Sequence, residues 1–211
     1  MIKKFLLFWR KYNFIIILLS IVLSQYTLGG DSKRLLILGD SISAGYGISV
    51  ERQWTNILQR KLDLSGTNLR IVNASSSGET TGGGLSRVQS LLKSNSPDYL
   101  LIELGGNDAL RGYPVESIKF NLTEICKMAI KQNVVVILMQ IKIPPNYGRK
   151  YTQTFESLYR EIANEMKILL IPFILENIAL DSNLMLPDGI HPNGKGQPLI
   201  ADEIYNFLKS L

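Results

Sequence analysis

Arg34-Leu35-Leu36-Ile37-Leu38-Gly39-Asp40-Ser41-Ile42-Ser43-Ala44-Gly45-Tyr46-Gly47 is the stretch that decides the fold. After Arg34 the run Leu35–Leu38 is apolar at every position, the pattern of a strand buried on both faces of a parallel sheet. The run breaks at Gly39-Asp40-Ser41. A serine placed where a strand's carboxyl end turns toward a helix is exposed, rigid and close to helix N–H groups. Asp40 reads as a cap or brace for that turn, and Ser43 occupies the last glycine position of a Gly-x-Ser-x-Gly elbow, so the α/β-hydrolase turn does not fit.

Four further apolar runs follow at regular intervals: Leu69–Ala74, Tyr99–Leu104, Val134–Met139 and Leu169–Pro172. Between them lie segments with helical spacing, over Gln53–Leu62, from Thr80 or Thr81 to about Lys93, over Pro114–Lys131 and over Thr152–Lys167. Gln197–Leu211 closes the chain as another helix. Gly82-Gly83-Gly84 falls where the second of these helices starts, and each Gly costs up to ~1 kcal/mol relative to Ala in a helix interior, so a frayed first turn is expected there. Strand and helix alternating five times predicts an α/β fold, a parallel sheet covered by helices on both faces with right-handed crossovers. Sites in such sheets lie beyond the carboxyl ends of the strands. Ser41, Gly78, Asn107 and the loop at Pro144 each follow such an end, and Asp188 and His191 come after the last strand.

The chain has 211 residues and a formal charge of +5. Lys3, Lys4, Arg10 and Lys11 precede an apolar block at Phe14–Leu23, and no acidic residue stands among the first 30. A charged start, a short apolar block and a small-residue exit near Thr27-Leu28-Gly29 describe a secretory signal peptide over 1–30, exporting the domain at 31–211 to the periplasm. The alternative is an uncleaved membrane tether, for which the block is short against the ~20 apolar residues a span needs. Without those four leader charges the net falls from +5 to +1, so the domain carries no electrostatic pull toward nucleic acid. Cys126 is the only cysteine, which excludes an internal disulfide and a two-cysteine zinc cluster. His191 is the only histidine, so any imidazole chemistry falls to it.

A serine hydroxyl becomes nucleophilic when a base takes its proton, and the base is usually a histidine held in one tautomer by a carboxylate. Asp188-Gly189-Ile190-His191 offers both groups within a short span. The oxyanion of a tetrahedral intermediate needs donors, and the Ser41 N–H, the Gly78 N–H and the Asn107 side-chain amide are the candidates. Each of these residues taken alone reads as a turn or cap; their order and their places at strand ends make the joint reading catalytic.

Gly39-Asp40-Ser41, Gly78, Gly105-Gly106-Asn107-Asp108 and Asp188-x-x-His191 resemble the four blocks of the SGNH (GDSL) hydrolases. Gly39–Gly47, Asn73-Ala74-Ser75, Glu103–Asp108 with Leu110-Arg111-Gly112, Pro145–Arg149, Asp188–Asn193 and Gln197-Pro198 are similar to the bacterial periplasmic thioesterase I / protease I / lysophospholipase group. The resemblance runs from residue 34 to 211. It implies a flavodoxin-like three-layer α/β/α sandwich on a five-stranded sheet. It implies Ser41 as nucleophile, His191 as base and Asp188 as its orienter, with Ser41, Gly78 and Asn107 forming the oxyanion hole. It further implies an acyl groove walled by Asp108, Leu110, Arg111, Ile143, Pro145, Tyr147 and Ile190. The expected activity is hydrolysis of acyl esters and thioesters, lysophospholipids included, by a monomer that needs no cofactor or metal, touches membrane lipids transiently and binds no nucleic acid. The alternatives are a carbohydrate or peptidoglycan O-acetyl esterase and, from another class, a non-catalytic lipid- or glycan-binding module.

Overall fold

The computed structural model describes residues 32–210, so the expected leader over 1–30 lies outside the described residues. Five strands, β1 (Lys33–Gly39), β2 (Leu69–Asn73), β3 (Tyr99–Glu103), β4 (Val135–Met139) and β5 (Leu169–Ile171), form one sheet in the order β2-β1-β3-β4-β5. Every pairing is parallel. The chain therefore winds outward from β1 in two directions, and the switch point falls between β1 and β3. The crevice beyond the carboxyl ends at such a point is where ligands bind in doubly wound sheets.

Among the described residues seven α-helices pack with the sheet: α1 (Ser41–Ala44), α2 (Trp54–Leu64), α3 (Thr81–Asn95), α4 (Gly106–Leu110), α5 (Val115–Ile130), α6 (Arg149–Met166) and α7 (Gln197–Lys209). Side-chain alternation along β1 divides the core into two. Leu36 and Leu38 join a cluster with Val88, Leu92, Ile118, Leu122, Phe155 and Ile162 from α3, α5 and α6. Leu35 and Ile37 face the other way, toward Trp54, Leu58 and Leu62 of α2 and Ile200 and Ile204 of α7. Burial on both faces is what the unbroken apolar run encodes, since a strand with one wet face would alternate. Among the described residues no helix is long and apolar enough to cross a membrane.

One local expectation needs correction, and two short helices went unread in the sequence. The loop after β1 contains α1, and the loop after β3 contains α4, two short helices that begin at or just after the strand ends. The Asp40 carboxylate nucleates the first by accepting the Ile42 N–H at 3.0 Å. The glycine run does not fray: α3 is helical from Thr81, with the Thr80 hydroxyl accepting the Gly83 N–H at 3.2 Å. Tertiary packing outweighs propensity here, because a Cβ on Gly84 would stand 2.4 Å from Leu104 Cδ1. Only glycine lets the helix lie that close to the sheet.

Candidate active site

Ser41 is the first residue of α1, directly beyond β1. Its Oγ lies 2.8 Å from His191 Nε2, across 150 residues of chain. His191 Nδ1 lies 2.7 Å from Asp188 Oδ2. The other Asp188 oxygen accepts the backbone N–H groups of Ile190 (2.9 Å) and His191 (3.0 Å). Those bonds, the one from the His191 backbone first, hold the Asp188 carboxyl down at about 2 from its ordinary 3.8. The group is therefore an anion across the neutral range, and an anion at Nδ1 keeps the ring proton there. Nε2 is left with its lone pair toward the serine hydroxyl, the arrangement a general base requires.

The loop carrying His191 is held by its flanks. The Leu186 N–H donates to the His191 carbonyl at 2.7 Å, and Met185 bridges Pro192 in antiparallel fashion. Asn193 Nδ2 donates to the carbonyls of Asn183 (2.8 Å) and Met185 (3.0 Å). Gln197, 2 % exposed, reaches both sides of the site. Its Nε2 donates to the Pro192 carbonyl at 3.1 Å, and its Oε1 accepts the Trp54 N–H at 2.9 Å. Trp54 Nε1 in turn donates to the Ile42 carbonyl at 3.2 Å, inside α1. A chain of three side-chain bonds thus ties the histidine loop to the serine helix.

Ser41, Gly78, Asn107 and His191 all line one cavity of about 830 Å³. Asn107, in α4, donates from Nδ2 to Asp40 Oδ2 at 3.1 Å. Leu110, Ile143, Pro145, Tyr147 and Ile190 line the same cavity. Asp108 and Arg111 do not. Asp108 is buried and turned away, its oxygens accepting the Thr81 N–H at 2.9 Å and the Thr81 hydroxyl at 2.6 Å. Arg111 is exposed and donates to the Gly78 carbonyl at 3.3 Å. The alternation of side chains around a short helix, unread from sequence, separates these two from their neighbour Leu110.

Several cavity residues were not expected. Tyr46 packs its ring on His191, with centroids 4.5 Å apart and planes at 37°. A far wall comes from the irregular segment after β5, through Phe173, Ile174, Leu175 and Leu180. That segment has no motif and no periodicity, so only its apolar content hinted at a buried face. Glu103, the last residue of β3, lies beneath the serine turn and accepts the Ser43 hydroxyl at 2.8 Å. Among the described residues no group of His, Cys, Asp and Glu side chains has the arrangement to hold a metal ion.

Comparison with known proteins follows the same lines. The family model described as "GDSL-like Lipase/Acylhydrolase family" matches residues 37–199. An arylesterase of Vibrio mimicus is 41 % identical over 177 residues, covering 84 % of this chain and 88 % of that protein. The thioesterase 1/protease 1/lysophospholipase L1 of Escherichia coli (strain K12) is 42 % identical over 180 residues, 85 % of each chain. Among solved structures, the psychrotrophic esterase EstA from Pseudoalteromonas sp., described as inhibited by monoethylphosphonate, superposes with a TM-score of 0.83 at 44 % identity. That alignment covers 84 % of this chain and 97 % of the esterase. A match spanning strand β1 to helix α7, on a five-stranded parallel sheet, leaves no ambiguity of kinship: the chain belongs to the GDSL-like lipase/acylhydrolase family and is an ester and thioester hydrolase of the SGNH type.

Proposed function

We propose that the chain hydrolyses acyl esters and thioesters through an acyl-enzyme on Ser41. The observation that carries this reading is the unbroken contact from Ser41 Oγ to His191 Nε2 (2.8 Å) and from His191 Nδ1 to Asp188 Oδ2 (2.7 Å). His191 takes the hydroxyl proton as Ser41 Oγ bonds to the acyl carbon. The carbonyl oxygen becomes an oxyanion that receives N–H groups from Ser41, Gly78 and Asn107; one such donor is worth roughly 10²–10³ in kcat. The imidazolium then gives its proton to the departing alcohol or thiol. Water enters, loses a proton to His191 and releases the acid from Ser41. Asp188 stays ionised throughout and stabilises the imidazolium.

Apolar walls favour an acyl chain over an acetyl group. Leu110, Ile141, Ile143, Phe173, Ile174 and Ile190 surround the space next to Ser41, more than a two-carbon group would fill. Aryl esters and lysophospholipids, the substrates in the printed names of the relatives, fall within this reading. The leader at 1–30 supports action after export, as a monomer meeting lipid at the membrane surface. Cell fractionation checks the export: full-length chain confined to the cytoplasm overturns it.

The test of the chemistry is Ser41→Ala against a panel of p-nitrophenyl esters from acetyl to palmitoyl, with fluorophosphonate labelling in parallel. Loss of at least about 10³ in kcat/KM and of labelling is expected. Retained turnover in that variant sinks the proposal. A panel in which wild type prefers acetyl over every longer chain replaces the acyl-chain reading with an O-acetyl esterase.

A further inference from the structure

Gly45-Tyr46-Gly47 follows the serine helix, and the reaction as described uses none of it. Gly45 ends α1 in the left-handed region at φ 73°, and Gly47 repeats that conformation at φ 71°. Between them the Tyr46 N–H donates to the Ser41 carbonyl at 3.0 Å. A Cβ on Gly47 would press on Leu186 Cδ1 at 3.0 Å, so the chain passes close to the histidine loop there. Leu186 belongs to that loop, and its own N–H donates to the His191 carbonyl at 2.7 Å. The tripeptide therefore crosses from the nucleophile's helix to the base's loop, and it delivers its one side chain onto His191.

Tyr46 is no core residue: it is 52 % exposed and lines the cavity beside Ser41 and His191. Its ring centroid stands 4.5 Å from that of His191, with the planes at 37°, so the rings lean face to face. The other partners of the imidazole sit at its edge, Asp188 at Nδ1 and Ser41 at Nε2. Two edge contacts leave the ring free to turn about the line through its two nitrogens. A contact on the face opposes that rotation. Charge also gives the contact a direction in the reaction. The negative face of an aromatic ring attracts a cation within about 6 Å of its centroid more strongly than it attracts a neutral ring. His191 becomes a cation when it takes the Ser41 proton. The contact is then stronger in the transition state than in the resting enzyme, and an interaction of that kind raises kcat rather than substrate binding.

We propose that Tyr46 is a positioning residue of the general base: its ring fixes the plane of the imidazole between Asp188 and Ser41 and stabilises the imidazolium formed as Ser41 attacks. The proposal rests on the reading of His191 as that base. The ring face carries the role and the hydroxyl has no part in it, so phenylalanine serves at this position and an aliphatic side chain does not.

The experiment compares Tyr46→Phe and Tyr46→Leu with wild type on p-nitrophenyl acetate, octanoate and palmitate, reading kcat and KM separately. Tyr46→Leu is expected to lose about five- to twentyfold in kcat, by the same factor on all three esters, with KM within about threefold. Tyr46→Phe recovers kcat to within about twofold of wild type. His191 is the chain's only histidine, so its ring protons report the contact directly by NMR in the untagged full chain. The aromatic face shifts them upfield in wild type and in Tyr46→Phe, and Tyr46→Leu loses that shift. Thermal unfolding certifies each variant as folded before its kinetics are read. His191→Ala with full activity defeats the underlying reading of the base. A deficient His191→Ala with an undiminished kcat in Tyr46→Leu, or with Tyr46→Phe as impaired as Tyr46→Leu, overturns the positioning role alone. A loss that varies with acyl length or falls in KM makes Tyr46 a wall of the acyl cavity, and unmoved His191 resonances show that the rings do not touch; either result also overturns it.

Discussion

Gln197 Oε1 accepts the Trp54 N–H at 2.9 Å across 143 residues, joining the first turn of α7 to the start of α2. The same side chain donates to the carbonyl of Pro192, the residue after His191. The amide thus measures the distance between the serine half and the histidine half of the site.

Gln197→Leu keeps the volume and removes both bonds, leaving one N–H and one C=O buried without a partner. Each such group costs about 1–3 kcal/mol. We expect a loss of about 2–4 kcal/mol in urea unfolding and a fall of about tenfold in kcat/KM as the His191 loop drifts from Ser41. Destabilisation without any kinetic change would show that Met185 and Asn193 fix the loop on their own.

Thr81 and Asp108 form a second buried contact, between α3 and α4, through the Thr81 N–H and hydroxyl. Thr81→Val conserves shape, removes the 2.6 Å bond and also takes away the acceptor for Asn121 Nδ2. A destabilisation of about 1–3 kcal/mol is expected, with the acyl-length profile unchanged. A shifted profile would put Asp108 back into substrate selection, as the sequence suggests and its burial argues against.

The glycine run at the start of α3 gives two substitutions of opposite sign. Gly82 is exposed, and a Cβ there meets nothing nearer than Asn121 Nδ2 at 3.7 Å. Gly82→Ala therefore collects the helix propensity, up to about 1 kcal/mol of stabilisation. Gly84→Ala gains the same propensity but drives its Cβ to 2.4 Å from Leu104 Cδ1 in a closed core. Overpacking of that kind costs about 1–3 kcal/mol, so the net sign is destabilising. Thermal unfolding of the pair decides it, and equal shifts would mean that Leu104 repacks freely.

The architecture was legible because its signals are local. Leu35–Leu38 is apolar on both faces, and five strand–helix alternations leave few topologies open. The residues around Ser41 were legible for a different reason: they form blocks whose order carries the resemblance. What stayed hidden depends on contacts between distant segments. Asp108 sits inside the asparagine block, yet its side chain leaves the cavity for Thr81, which nothing in the local pattern reveals. Glu103 reads as one polar residue closing an apolar strand. Its role as a brace appears only when the register sets it opposite Gly39. Phe173–Leu180 has no period to read, so a wall of the cavity went unnoticed.

The buried acids also give stability a sign in pH. Burial, then the Asp40 charge, raises the Glu103 carboxyl well above its ordinary 4.5, and burial raises Asp40 to about 6 from 3.8. In the unfolded chain both groups ionise at their ordinary values. Between those values and the raised native ones, the folded state holds protons that the unfolded state has released. Stability therefore falls as pH rises through this window, by up to ~1.4 kcal/mol per pH unit for each proton retained. Above about pH 6 the Asp40 contribution levels off. Glu103→Gln cannot ionise, so its stability relative to wild type grows as pH rises above the ordinary carboxylate range and levels off once the native Glu103 carboxyl ionises. Taking the difference between the two proteins cancels the shared groups remote from Glu103 and leaves the Glu103 titration together with its coupling to Asp40. Urea unfolding at pH 5, 7 and 9 makes the measurement, and parallel wild-type and variant curves would show that Glu103 is ionised in the native state across the whole range.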